Sequence, residues 1–222
     1  MHLPQSIRRL TPERLRQSNR ARALALRSGL IPPRPMHSPG EAQLLVELSA
    51  GARRAVEVGV YEGSSAAVLA RSLPAGSELH LIDPFGGVGP RDGWYGVEAA
   101  SRRAVDRALP AAGGPTVHWH IARSADVAAR WEGQVDLVFV DGDHTEDGCR
   151  TDWECWHPHV EPGGRIAFHD AREGKPGGWG IQGPTTVVDT LFRGPDTPQG
   201  WEIETEQDTI VVVRRAENPL VG

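Results

Sequence analysis

The chain is expected to be an α/β protein built on one doubly wound, mostly parallel sheet. Three observations lead there. Short apolar runs alternate with helix-like stretches along most of its 222 residues. Strands separated by helical crossovers give parallel pairing. The first run passes through two glycines into a helix, at 56–67 (VEVGVYEGSSAA). The last two runs break the alternation: only Gln207-Asp208 separates them. No crossover fits so short a gap, so they close as an antiparallel hairpin.

The elements follow in order. Residues 8–27 carry seven arginines against one acid, Glu13. They read as a solvated amphipathic helix, with Leu15, Leu24 and Leu26 among its apolar contacts; a transit peptide is the other reading. Gly29 and the prolines of "SGLIPPRP" end this arm, 1–39, and the main domain is taken as 40–222. Helices are expected over 41–50, 63–73, 97–109, 124–131, 146–157 and 184–193. Strands are expected over 54–59, 78–83, 116–121, 135–140, 164–169, 201–206 and 209–214, seven in all. Pro158 in "CWHPH" marks a helix stop rather than a zinc site.

Composition narrows the function classes. The net charge of −5, from 24 bases against 29 acids, argues against a nucleic-acid surface. Lys175 is the lone lysine, and arginine with alanine, glycine and proline points to a GC-rich bacterial genome. Two cysteines, Cys149 and Cys155, make no disulfide framework, which fits a reducing cytoplasm. No apolar stretch reaches the roughly 18 residues of a membrane span.

Two strands end abruptly on ligand-type side chains. "FVDGDHTE" (139–146) runs into Asp141, Asp143, His144 and Glu146, and "GGRIAFHDA" (163–171) into His169 and Asp170. Both deliver polar groups to one edge of the sheet. At the first strand–helix junction, Gly59 and Gly63 bracket a turn where a ligand approaches backbone and free helix N–H groups. The spacing is not that of the dinucleotide fingerprint. Asp83 ends the second strand, 24 residues after Gly59, where an acid accepts from ribose hydroxyls or else caps a turn. Two glycine-rich loops, 86–96 and 174–183, carry Trp94, Tyr95 and Trp179. They either close over a planar or hydrophobic acceptor or pack onto the domain.

The series "EVGVYEGSS", "LIDPF", "ARSAD", "VFVDGDH" and "PGGRIAFHD" resembles the class I S-adenosylmethionine (SAM)-dependent methyltransferases, over about residues 40–215. More narrowly it is similar to the catechol O-methyltransferase-like group and its small bacterial natural-product and sugar relatives. The resemblance implies a Rossmann-like seven-stranded sheet. It implies that Glu57 and Gly59 line the methionine end of the cofactor, that Ser65 holds its carboxylate, and that Asp83 binds its ribose. Ser124 would sit at the adenine edge, with a helix N-cap as its alternative role. Asp141 would serve both the cofactor and a divalent cation such as Mg²⁺, with Asp170 and His169 as further metal ligands. Histidine departs from the group's carboxylate or Asp-Asn pair; it points either to a transition metal or to no metal, with His169 a strand-end residue bonded to backbone. His144 stands where the catechol enzymes place a catalytic lysine, which implies a general base; an exposed loop or helix-start histidine is the other reading.

The resulting expectation is O-methylation of a small-molecule hydroxyl in the cytoplasm, with no membrane or nucleic-acid partner; a homodimer is possible. A metal-dependent hydrolase using Asp141, His144, His169 and Asp170 is the rival reading, and a catalytically silent cofactor-binding module another.

Overall fold

The computed structural model describes residues 19–86, 97–175, 181–195 and 197–217, with backbone only for Asn19 and Arg20. The loop aromatics Trp94, Tyr95 and Trp179, and the arm before Asn19, lie outside the described residues.

The arm supplies α1 (Asn19–Ser28). Its buried contacts are Ala23 and Leu26, whereas Leu24 is 68% exposed. The expectation for Leu24 therefore fails: a small residue, Ala23, takes the inward stripe. Helix α2 (Pro39–Ser49) follows with a capping box. The Ser38 hydroxyl accepts from the Glu41 N–H at 3.1 Å, and Glu41 accepts from the Ser38 N–H at 2.7 Å.

The alternation then runs β1 (Arg54–Val58), α3 (Ser64–Ser72), β2 (Glu78–Ile82), α4 (Val97–Ala108), β3 (Thr116–His120), α5 (Ser124–Ala128), β4 (Val135–Val140), α6 (Glu146–Trp156), β5 (Val160–Phe168) and α7 (Gly183–Phe192). The hairpin β6 (Trp201–Gln207) and β7 (Ile210–Arg215) closes the chain. A 3₁₀ turn at His157–His159 ends α6 at the "HPH" stop. The seven strands lie in the order β3-β2-β1-β4-β5-β7-β6. All neighbours are parallel except β5–β7 and β6–β7.

Strand alternation splits the core into two layers. Ala55, Leu79, Leu81, Leu137, Phe139 and Val212 pack beneath α2, α3 and α4. Val56, Ile82, Val138, Val140, Phe168 and Val211 pack beneath α6 and α7, where Trp153 and Trp156 fill the space.

Two elements differ from the sequence reading. Strand β5 starts four residues earlier than expected, because its register against β4 slips between Val135/Val160 and Leu137/Arg165. The turn-like Glu161-Pro162-Gly163-Gly164 is absorbed as a bulge, with Gly163 at φ +83°. Helix α5 stops at Ala128, three residues short of the expected end. Among the described residues no helix is long and apolar enough to cross a membrane.

Candidate active site

Parallel pairing brings the carboxyl ends of four strands to one edge. The ladder continues one residue past each strand: Gly59 N–H donates to Ile82 O, Asp83 N–H to His120 O, Asp141 N–H to Val58 O and His169 N–H to Val140 O, at 2.8–3.1 Å. Side chains that follow the ends of β1, β2, β4 and β5 therefore share one rim, the usual ligand edge of an open α/β sheet.

Asp141, His144, His169 and Asp170 meet there, each offering an atom within 4.8 Å of the others. His169 Nδ1 stands 3.0 Å from Asp141 Oδ1 and 3.5 Å from Asp170 Oδ2. The loop after β4 turns His144 back, so that its Nε2 sits 3.3 Å from both Asp141 Oδ1 and Asp170 Oδ2. Asp143 accepts from the Thr145 N–H, and Thr145 caps α6 by accepting from Gly148 N–H, both at 3.0 Å. Asp170 is held at φ +52°, a left-handed conformation that costs a non-glycine residue roughly 1–3 kcal/mol. Strain of this kind persists where surrounding contacts enforce it, commonly at functional sites.

The electrostatics of the cluster are mutual. Hydrogen bonding to Asp141 and then Asp170, against an opposing burial cost, raises the His144 pKa to about 9. Burial disfavours charging His169, but the Asp141 charge and the Asp141, Asp170 and Glu41 carboxylates lift it to about 12. Burial acts upward on Asp170 as well; its two histidine partners outweigh it and bring the pKa to about 2. Without a cation, two imidazolium protons thus compensate the acids. Asp170 Oδ1 and both His169 ring nitrogens are buried yet make no well-formed hydrogen bond. Carboxylate oxygens, with imidazole nitrogens that a bound cation would free of their protons, are the donor set of a divalent transition ion.

Glu41, which the sequence reading missed, stands behind this cluster. It is fully buried on α2. Its Oε1 accepts from the Thr209 N–H at 2.8 Å and hydroxyl at 2.5 Å, and its Oε2 lies 3.5 Å from His169 Nε2. A carboxylate behind a histidine fixes the ring's orientation and tautomer. The one sequence signal was the capping-box spacing Ser38–Glu41, which predicts a helix start and nothing about a site.

The glycine turn lies beside the cluster. Gly59 has φ +88°, and a β-carbon there would stand 2.5 Å from the Asp141 carbonyl carbon and 2.7 Å from Gly142 Cα. Its missing side chain thus lets β1 cross the β4 exit. Gly63, at φ +78°, precedes the first residue of α3. Glu57 is buried, its Oε1 accepts from Ser65 Oγ at 2.5 Å, and its Oε2 has no hydrogen-bond partner. Burial, with Asp141 and Asp83 nearby, pushes Glu57 well above the carboxylate range against the Ser65 bond. Asp83 braces the turn: Oδ2 accepts from the Val60 and Tyr61 N–H groups at 2.9 Å, and Oδ1 from the Phe85 N–H at 2.7 Å. Ser124 is not the cap of α5; Arg123 occupies that position, and Ser124 Oγ accepts from Trp156 Nε1 at 2.7 Å.

The arm joins the same turn. Arg22 grips buried Glu62 through two hydrogen bonds, at 2.5 and 2.7 Å, and the Arg34 N–H adds a third at 2.7 Å. Arg34 also donates to Tyr61 Oη at 3.0 Å.

Fold and rim together define a protein of the class I methyltransferase architecture: a seven-stranded, mostly parallel sheet, an antiparallel final hairpin, and polar groups at the carboxyl ends of β1, β2, β4 and β5. Residues 56–171 match the family model described as a methyltransferase domain, a span running from β1 to just past Asp170, and the chain belongs to this family. Solved structures share the fold at low identity. The cofactor-bound protein Rv0187 from MTB is 19% identical, with a TM-score of 0.64 and 90% of each chain covered. The O-methyltransferase TomG from Streptomyces achromogenes, involved in tomaymycin synthesis and in complex with SAM, is 20% identical. Its TM-score is 0.57, over 93% of this chain and 92% of that one. An O-methyltransferase from Bacillus cereus in complex with SAH is 17% identical, with a TM-score of 0.57 and 95% and 96% of the two chains covered.

Proposed function

We propose that the protein transfers a methyl group from SAM to a hydroxyl of a small molecule, with a divalent cation held at the rim. The observation that carries this reading is the convergence of Asp141, His144, His169 and Asp170 directly beside the Gly59 turn. Family membership supports methyl transfer, and the SAM- and SAH-bound structural neighbours named as O-methyltransferases support the cofactor and an oxygen acceptor. The same membership favours methyl transfer over a hydrolase built on the same acids.

SAM supplies an electrophilic methyl group, and a bound cation supplies charge that lowers the pKa of an acceptor hydroxyl. The chain's own residues bind and align. Glu57 Oε2, buried and unpaired, is the acceptor offered to the cofactor's ammonium group. The turn from Gly59 to Gly63 and the start of α3 near Ser65 present backbone N–H groups to its carboxylate. Asp83 shapes that turn with three accepted bonds and keeps acceptor capacity for ribose hydroxyls, since a carboxylate has about four lone-pair sites. Ser124, whose hydroxyl already accepts from Trp156 Nε1, would lie towards the adenine edge.

Asp141, His169, Asp170 and His144 would hold the cation, with Glu41 fixing His169. The equal 3.3 Å approach of His144 to two carboxylates favours a ligand role over the general-base role its position implied. Much of the rate then comes from holding an oxygen in line with the methyl group. The acceptor is proposed to be a small molecule in the cytoplasm, with no nucleic acid or membrane partner.

Calorimetry with S-adenosylhomocysteine, on protein stripped of metal and then reloaded, tests both halves. Binding in the micromolar range and EDTA-sensitive, Mn²⁺- or Mg²⁺-restored methylation of a hydroxyl acceptor are expected. Absence of cofactor binding overturns the methyltransferase reading. Full turnover after exhaustive chelation overturns the cation alone.

A further inference from the structure

A second cluster of imidazoles lies on one face of the sheet at β2 and β3. His118 and His120 are two residues apart on β3, so strand periodicity puts both on one face. His80 on β2 is the direct register partner of His118. The three rings are stacked: His80 and His118 centroids are 4.5 Å apart, and His80 and His120 are 5.3 Å apart. They border a cavity of about 510 Å³, walled by Trp131 and rimmed by Arg54, Glu78 and Arg130. None of its lining residues belongs to the Asp141 cluster or to the Gly59 turn.

The nitrogens are arranged for more than packing. His80 Nδ1 and His120 Nε2 share a hydrogen bond of 3.0 Å, so one of them carries a proton that a cation would displace. On its other side, His80 Nε2 lies 3.6 Å from Glu78 Oε2. His80 Nε2 is buried with no hydrogen-bond partner, and the Glu78 charge favours a proton there over one on Nδ1. A tetrahedral ion with bonds of about 2.0–2.1 Å sets its ligand nitrogens roughly 3.3–3.4 Å apart. The His80–His120 pair stands within a few tenths of an ångström of that spacing. His118 Nε2 is buried and makes no hydrogen bond, so turning this ring towards the pair breaks none at that nitrogen. This ring now stacks on His80, so the third ligand arrives only when it turns out of that stack.

We propose that His80, His118 and His120 form a second metal site, for a borderline divalent transition ion such as Zn²⁺. A fourth position opens to the cavity. Two ligands two residues apart on one strand, completed from the neighbouring strand, give three imidazoles on a rigid sheet. Glu78, 3.6 Å from His80 Nε2, would become the outer-shell carboxylate that metal-bound histidines commonly have by closing to hydrogen-bond distance. Its ion pair with Arg54, at 2.5 Å, anchors it. The site needs no contribution from the rim cluster, so it stands independently of the methyl-transfer reading.

The test uses the full chain, stripped with chelator and titrated with Co²⁺, whose visible absorption is strong in tetrahedral nitrogen sites and weak in six-coordinate oxygen-rich ones. Wild type should develop the strong bands, and Zn²⁺ should bleach them; with the rim cluster weakened by Asp170→Asn, one equivalent per chain should remain. Adding His118→Gln/His120→Gln to Asp170→Asn should remove that equivalent. Glu78→Gln should weaken Co²⁺ about 10–100-fold. A purely structural role for the three rings predicts no such bands in wild type, or bands that survive the triple variant, and either result overturns the site. If the triple variant is unfolded by circular dichroism, His118→Gln added alone to Asp170→Asn decides on the same criterion.

Discussion

Replacing Gly59 by alanine separates two costs that usually come together. The first is conformational: φ +88° is a left-handed backbone, worth roughly 1–2 kcal/mol against a β-carbon. The second is spatial, because the new methyl group would stand 2.5 Å from the Asp141 carbonyl carbon and 2.7 Å from Gly142 Cα. Both atoms are backbone and must move by most of an ångström, and overpacking of that kind costs about 1–3 kcal/mol. Gly76 supplies the control. Its φ is +80°, and nothing lies within 4 Å of its notional β-carbon. Gly76→Ala should therefore lose only the conformational part. Urea unfolding of both variants should place Gly59→Ala about 1–3 kcal/mol below Gly76→Ala, with equal m-values. Metal titration should show a matching loss at the rim in Gly59→Ala alone, because the displaced backbone carries Asp141. Equal destabilisation of the two variants would refute the crossing argument and leave Gly59 as an ordinary turn residue.

Asp83→Asn keeps the side chain's shape but loses its charge and half its acceptors. S-adenosylhomocysteine should bind roughly 10-fold or more weakly by calorimetry, in line with about 1.5–3 kcal/mol for a charged hydrogen bond; unchanged affinity in a folded variant would remove Asp83 from the cofactor site. The metal-free chain should lose stability as pH rises. His144 and His169 have folded pKa values of about 9 and about 12, above their ordinary value near 6.5. Their contribution is complete below about 6.5 and falls by up to about 1.4 kcal/mol per pH unit for each imidazole, until the pH passes the folded value. The lowered Asp170 acts oppositely, its contribution vanishing only as pH falls from about 3.8 through about 2. Thermal melts between pH 6.5 and 9, with EDTA and with saturating Mn²⁺, should show the decline without metal and its weakening with metal. A flat metal-free profile would show that the imidazoles are not held as cations.

The sheet was readable because each strand carries a short apolar run and each crossover an amphipathic one. The two misread boundaries share a physical cause. Glu161-Pro162-Gly163-Gly164 has turn chemistry, and only pairing with β4 shows it to be a bulge inside β5. Helix α5 could have extended to Trp131 on local preference, but the chain leaves the helix at Ala128 and Trp131 packs edge-on against Trp156, 5.0 Å between centroids. At the rim, Asp141, His169 and Asp170 were legible because strand ends fall on one edge of a parallel sheet. The return of His144 between two acids was not, since it depends on the loop path after β4. Glu41 was invisible for a different reason: it precedes His169 by more than a hundred residues, and its local pattern already had an explanation as a helix cap. Arg22 reads as one of seven arginines until its partner, buried Glu62, is seen in the turn.

The bond from Thr209 to Glu41 spans 168 residues of sequence. It ties the entry to the first helix of the main domain to the loop of the last hairpin, with His169 in contact with the same carboxylate. The rim is therefore finished last during synthesis. A ribosome that has released residues up to β5 has made every proposed metal ligand, yet Glu41 still lacks Thr209 and the final two strands are missing from the sheet edge. Closing so long a loop is slow compared with forming the local helices. Until the hairpin docks, the nascent chain holds its acids and imidazoles without the brace that orders them, so the geometry of the rim belongs to the completed protein rather than to its growing chain.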